Sequence, residues 1–131
     1  MSSPVVNDAT GATYTTTTTT GTVLTYSGPG GTFPAASICS ITVMMAAYDA
    51  TGGGKTLAIW DVAVHNIGGT LTLITAGAQS ARIATTVGVS QATGGTFSIS
   101  GSNLLVTNTR SSNGNSIQYG VMVAACSCIT P

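Results

Sequence analysis

Charged side chains are almost missing from this chain of 131 residues. Only 5% of its residues are charged, against about 25% in an ordinary soluble domain, and three bases balance three acids. Such a chain has no cluster of Lys and Arg with which to bind nucleic acid or an anionic membrane surface. Glutamate is absent altogether, so most acid–base catalysis lacks the groups that it needs. We therefore expect no nucleic-acid partner, no membrane partner and no enzyme.

Long apolar runs are missing as well, and we expect no targeting segment in these residues. The longest apolar stretch, around residues 43–47, is far shorter than the roughly 20 residues that cross a bilayer. Residues 1–4 carry neither the basic nor the apolar region of a secretory signal.

Cysteine is scarce, and its number is odd. Cys126 and Cys128 are two positions apart on a predicted strand. This spacing puts their side chains on one face with Cα atoms about 6.5–7 Å apart, too far for a bond between them. We expect all three cysteines to be reduced, with a bridge from Cys39 to Cys126 or Cys128 as the alternative.

Short strands with turns between them dominate what is present. Hydrophobic residues make up 43%, there are 17 glycines, and mean hydropathy is +0.41. Apolar and polar residues alternate over about eight segments, which predicts an all-β antiparallel sandwich or jelly roll with almost no helix. We place this single β-sandwich domain at residues 27–131. Because so uncharged a surface favours association, the composition indicates an assembly subunit.

The first 26 residues have a different pattern. Thr15 to Thr20 are six consecutive threonines, which favour an extended chain but specify its register weakly. Residues 1–26 are therefore predicted to form an extended arm or an edge strand. If the arm reaches a neighbouring copy, its candidate subunit-interface residues are Val5, Val6, Thr15, Thr16, Thr17, Thr18, Thr19 and Thr20.

One segment superficially resembles a phosphate-binding loop. The run Gly53-Gly54-Lys55-Thr56 has Asp49 where that motif requires glycine, and a strand pattern follows it instead of a helix. We interpret it as a hairpin turn with a solvent-facing Lys55.

The remaining chemistry-bearing residues do not form a motif. His65 and the cysteines lack the pair spacings of a zinc site, and no nucleophile elbow accompanies this single histidine. We expect no metal, no cofactor and no catalytic residue. Asp49 falls at a turn and Asp61 in mid-strand, and Asp61 is expected to pair with an arginine, Arg82 or Arg110.

Aromatic residues raise the question of sugar stacking. Trp60 shares a predicted face with Val62 and Val64, which favours a place in the core. Trp60 together with the tyrosines Tyr14, Tyr26, Tyr48 and Tyr119 is the alternative, a stacking surface for sugars.

Residues 60–66, 69–74 and 95–106, followed by the Asn113-Gly114 turn into residues 119–123, carry a resemblance. They resemble the small β-sandwiches of tailed-bacteriophage structural proteins, which occur as capsid decoration (cement) proteins and as fibre or spike domains, commonly trimeric. This resemblance implies a non-enzymatic virion protein on the outer capsid surface, assembled in the host cytoplasm. Its implied partners are the major capsid protein and its own copies, in a homo-oligomer for which a trimer is favoured. The alternatives are a receptor- or glycan-binding tip of a tail or head fibre, and an extracellular filament subunit completed by β-strand addition.

Overall fold

The computed structural model describes residues 4–5, 13–111 and 114–130, and it confirms an all-β antiparallel sandwich. Val6 and Asn113 lie outside the described residues. The strands are β1 Pro4–Val5, β2 Thr13–Thr17, β3 Thr22–Tyr26, β4 Ser37–Asp49, β5 Lys55–Ile67, β6 Thr70–Leu73, β7 Ile83–Val87, β8 Ala92–Ser100, β9 Asn103–Arg110 and β10 Ile117–Ile129. A short 3-10 turn at Pro29–Gly31 is the only helical element in the described part of the chain, and no helix there is long and apolar enough to cross a membrane.

Seven strands form the larger sheet. Its centre consists of β10, β4 and β5, each 13 residues long. The strands β1 and β2 both pair with the free side of β10, and β6 and β7 both pair with the far side of β5. All of these pairings are antiparallel.

The smaller sheet has the order β3-β9-β8 and covers one face of the larger sheet. Alternate residues of β4, β5 and β10 point into the space between the sheets, where Ile41, Val43 and Val121 are fully buried. Trp60 lies in this core, edge-on to Phe97 with ring centroids 5.4 Å apart. The prediction of a core position for Trp60 is confirmed.

A β-bulge interrupts β10 and changes which of its residues face the core. The register pairs Val123 with Val43 but then Ala125 with Thr42, so one residue of β10 is extra. Before the bulge, odd-numbered residues such as Val121 and Val123 are buried, whereas after it the even-numbered Cys126 and Cys128 are buried. An extra residue has this effect because side chains alternate strictly between the two faces of a strand.

The N-terminal segment divides between the two sheets. Thr13–Thr17 pairs with β10 in the large sheet, whereas Thr22–Tyr26 forms an edge of the small sheet. The two strands differ in burial: none of the side chains described in β2 is buried, but Val23, Leu24 and Tyr26 of β3 belong to the core. Asn108 holds the connection, because its side chain accepts from Gly21 N and donates to the carbonyl of Thr19.

The predicted Asn113-Gly114 turn lies partly outside the described residues, because Asn113 is not among them. The flanking strands β9 and β10 belong to different sheets and do not pair with each other. The connection instead carries the chain from the small sheet to the large one, a long-range choice that a local turn signal does not encode.

Candidate interaction surface

The outer face of the large sheet carries many apolar side chains. Outward-facing side chains of an antiparallel sandwich are ordinarily polar. Here one row across four neighbouring strands consists of Met122, Met44, Ile59 and Ile83, each paired in register with the next. All four side chains are partly or largely exposed. We call this set the methionine–isoleucine row.

A groove lies on one side of this row, over the ends of β2, β10, β4 and β5. Tyr14 and Tyr48 are exposed in it, by 86% and 39% respectively. Gly120 and Ala46 form its floor and leave room because both are small. A Cβ atom added at Gly120 would lie 3.3 Å from Cε1 of Tyr14, so the tyrosine ring lies closely over this backbone. We call it the tyrosine groove; its volume is about 370 Å³.

Polar groups form the rim of the tyrosine groove. Lys55 places its Nζ 5.2 Å from the ring centroid of Tyr48, a cation–π distance. Gln118 is paired with Tyr48 across the strands, and Thr85 also lines the groove. The groove therefore offers two exposed aromatic rings, an apolar floor, one positive charge and several hydrogen-bonding groups.

A second apolar patch occupies the opposite end of the same face. Four isoleucines, each about half exposed, surround His65 there: Ile38, Ile67, Ile74 and Ile129. Ile38 is paired with both Ile129 and His65 on the neighbouring strands. We call this set the isoleucine patch. His65 thus lies near the end of β5, as predicted, within an apolar surface.

Charge on the outer face is confined to a few positions among the described residues. Asp61 accepts hydrogen bonds from Nε of Arg82 at 2.7 Å and from the hydroxyl of Thr42. Both bonds are exposed to solvent. This confirms Arg82 as the predicted partner of Asp61. The other candidate, Arg110, instead donates to the backbone carbonyls of Thr17 and Asn115.

Asp49 is a buried structural carboxylate at the end of β4. It accepts from the backbone N–H groups of Thr51, Gly52 and Gln91, and from the side-chain amide of Asn115. The bond from Gly52 contributes most to holding the pKa of Asp49 below its ordinary value of 3.8, against the opposing effect of burial. Because its donors come from three separate loops, Asp49 fastens them together.

The turn that follows Asp49 agrees with the hairpin interpretation of the glycine–lysine run. The backbone N–H of Asp49 donates to the carbonyl of Gly54, and that of Gly53 donates to the carbonyl of Asp49. Lys55 begins β5 and is exposed.

The expectation of three reduced cysteines is wrong, and the alternative of a bridge from Cys39 is the one observed, because Cys39 and Cys128 form a disulfide. The bulge in β10 puts Cys128 directly opposite Cys39 and turns it toward the core. Cys126 lies beside them, with its Sγ 3.9 Å from that of Cys128. As predicted, Cys126 and Cys128 share a face and are not bonded to each other. His65 belongs to the opposite face and does not join the sulfurs.

The predicted subunit-interface residues are spread along the N-terminal segment. Val5 pairs with Cys128, Thr15 to Thr17 pair with β10, and Thr18 to Thr20 lie between β2 and β3. Within a single chain Val5 and Thr15 to Thr17 thus pair with β10, and a role of the N-terminal segment between subunits stays a prediction. Sequence reasoning missed the outer face. The sequence feature that could have predicted this apolar face is the lack of charge at alternate positions of residues 38–48 and 118–129, which include Met44 and Met122.

The chain matches no protein-family model, no curated protein and no solved structure.

Proposed function

We propose that this chain is a non-enzymatic structural protein of a virion, a capsid decoration protein that binds the major capsid protein and its own copies through the outer face of its large sheet. The methionine–isoleucine row carries the proposal. Four adjacent apolar side chains on the outward face of a sheet gain nothing from contact with water, and burying them between proteins is favourable.

Scarcity of charge supports the same proposal. A charged group that is buried in a protein interface without a partner is unfavourable. A face with few charged groups can therefore be covered by another protein without burying an unpaired charge. On this face Asp61 and Arg82 already neutralise each other. A decoration protein acts by mass action, since contacts that exist only in the assembled shell stabilise that shell.

The first experiment compares particles that carry the protein with particles stripped of it. Loss of the protein is expected to lower the resistance of the capsid to heat and to osmotic shock. Adding back Met122→Glu should not restore resistance, because it places a charge in the methionine–isoleucine row. Ser98→Glu is the matched control, because Ser98 is an exposed residue of the small sheet. Equal resistance of stripped and decorated particles would refute the proposal.

Light scattering on the purified protein tests contact between copies. A discrete oligomer, with a trimer favoured, is expected for the full chain. Removing residues 1–17 takes away β1 and β2 but leaves β3 in the core. Dissociation of the shortened chain would support an arm shared between copies. A monomer in both cases would refute contact between free copies through the arm.

The tyrosine groove favours a second candidate function, binding of a glycan receptor at the tip of a fibre. Sugar rings pack their C–H faces on aromatic rings while their hydroxyls need hydrogen-bonding groups. Tyr14 and Tyr48 supply two exposed rings in one groove, and Lys55 and Gln118 lie at its rim.

A glycan array separates the two candidates. Binding that is lost in both Tyr14→Ala and Tyr48→Ala, but kept in Ile67→Ala from the isoleucine patch, would support the receptor-binding function. A purified, folded chain that binds no glycan on the array contradicts it. The decoration proposal does not depend on this result, because it rests on the methionine–isoleucine row.

A further inference from the structure

Three sulfur atoms form a compact cluster inside the sandwich. The Sγ atoms of Cys39, Cys126 and Cys128 all lie within 4.8 Å of one another, and each of these residues is at most 1% exposed. The bulge in β10 creates the cluster, because without it Cys126 and Cys128 would face outward. The disulfide accounts for two of the sulfurs and leaves the third beside them.

Reduction converts this cluster into three neighbouring thiols. A dithiol reductant supplies two electrons and two protons to the Cys39–Cys128 bond and becomes a disulfide itself. Both released sulfurs stay on adjacent strands, directly opposite each other in the register. The third thiol, on Cys126, is two residues from Cys128 on the same face.

The spacing of these sulfurs suits a metal ion. Metal–thiolate bonds are about 2.3 Å long, so three sulfurs arranged in a plane around one ion lie about 4 Å apart. Cys126 and Cys128 already have their sulfurs 3.9 Å apart. The Cys39 sulfur needs only to move away from Cys128 after reduction to reach a similar distance.

Coordination number and charge select the ion. Among the described residues no His, Asp, Glu or further Cys joins the three sulfurs, whereas structural zinc sites use four ligands. Soft sulfur ligands favour Cu(I). A buried thiolate is unfavourable unless a cation neutralises it, and a monovalent ion held by two thiolates and one thiol leaves a single net negative charge.

We propose that the reduced chain binds one Cu(I) ion through Cys39, Cys126 and Cys128, and that the Cys39–Cys128 disulfide abolishes this site. Binding displaces two S–H protons to solvent, and no electron is transferred in that step. The site is thus open or closed according to the redox state of the chain, independently of any contact made by the outer face.

The test is anaerobic titration of the full-length protein with Cu(I) in competition with a chromophoric Cu(I) chelator. The reduced chain is expected to take up one equivalent, and the oxidised chain none. Cys126→Ala and Cys126→Val should both weaken binding by the reduced chain at least tenfold. Because they keep the disulfide, their oxidised forms should retain the circular dichroism of the wild type, which separates loss of a ligand from loss of the fold.

Several results would overturn the proposal. These are uptake of Cu(I) by the oxidised chain, equal uptake by the reduced wild type and both Cys126 variants, and tighter binding of Zn²⁺ than of Cu(I). If reduction alone unfolds the chain, added Cu(I) should restore the β-sheet signal, because metal binding is coupled to folding. Failure to restore it would also contradict a folded three-sulfur site.

Discussion

The strands β3, β8 and β9 cover the inner face of the large sheet. The outer face consists of the alternate residues of the large sheet's own strands, and no other strand in the described part of the chain covers it. Both faces are rich in apolar side chains. On β10, Val121 is fully buried, and its neighbour Met122 remains partly exposed. Apolar composition alone therefore does not distinguish a core from a docking surface; what lies opposite does. Fold stability should depend on the inner face and assembly on the outer face.

The largest effect on stability is expected in the N-terminal segment, which contributes strands to both sheets. Deleting residues 1–26 removes β3 with its buried Val23, Leu24 and Tyr26, so the shortened chain should fail to fold. Deleting residues 1–17 removes only β1 and β2 and should leave a folded sandwich. Circular dichroism and size-exclusion chromatography of both chains provide the measurement. If both shortened chains fold, or if both fail to fold, the distinction between a stabilising β3 and a dispensable β1 and β2 is contradicted.

Side-chain truncation on β5 compares the faces within one strand. Trp60→Ala empties a site in the core against Phe97 and should lower the free energy of unfolding by about 3–5 kcal/mol. Leu57→Ala, on the outer face of the same strand, should cost about 1 kcal/mol or less, because this side chain is only partly covered. Urea denaturation of both variants measures the difference. Similar costs would mean that the outer face is packed in the monomer.

Removing the disulfide should have an intermediate effect on the free energy of unfolding. The bond joins positions 89 residues apart, so it restricts the unfolded chain strongly. The double variant Cys39→Ser and Cys128→Ser should lose about 3 kcal/mol in denaturant titrations, in part because two polar hydroxyls enter the core. Cys126→Ser introduces one hydroxyl and keeps the bond, which makes it the matched control. A control as unstable as the double variant would show that the hydroxyls, not the lost bond, cause the change.

The two faces also differ in how well the sequence predicts them. Alternation correctly predicted the strands and the core position of Trp60, because burial on one face leaves a period of two. It could not predict the bulge in β10, which depends on how β10 pairs with β4. Strict alternation from Val121 and Val123 continues to Ala125, which puts Cys126 and Cys128 on the wrong face. The expectation of reduced cysteines rested on the odd count and on the short Cys126–Cys128 spacing, and neither of these shows that the bulge puts Cys128 opposite Cys39.

The outer face was missed for a related reason. Alternation of apolar residues shows that one face of a strand is buried. Met44 and Met122, however, alternate with the core residues next to them and are apolar as well, so alternation does not show which face is buried. Assigning the two faces requires knowing which one the small sheet covers. The crossing of the chain between sheets after Arg110 is likewise a property of the whole fold.

A change of pH should reveal the contribution of the hydrogen bonds to Asp49. The hydrogen bonds to Asp49 lower its pKa in the folded chain, so they contribute stability above the ordinary value of 3.8. That contribution is lost as the pH falls through the lowered pKa, when the carboxylate becomes protonated. Between pH 7 and pH 3 the wild type should therefore lose more stability than Asp49→Asn, and the two denaturation midpoints should approach each other.

Asp61→Asn is the control for that measurement. It removes a carboxylate from an exposed ion pair with Arg82, which should cost at most about 1 kcal/mol at neutral pH. It therefore controls for the loss of one carboxylate at neutral pH. Parallel curves for the wild type and Asp49→Asn would contradict a lowered pKa for Asp49.

The smallest effect on stability is expected on the outer face, where the effect on association should be clearest. Ile67→Ser changes a side chain that is 65% exposed in the isoleucine patch, so the free energy of unfolding should stay within about 0.5 kcal/mol of the wild type. Light scattering should nevertheless report weaker association, because the same side chain is buried when copies contact one another through this patch. Ser100→Ala, at an exposed position of the small sheet, should change neither quantity. If Ile67→Ser leaves association unchanged while Met122→Glu abolishes it, contact between copies is confined to the methionine–isoleucine row, and the isoleucine patch is left for the capsid.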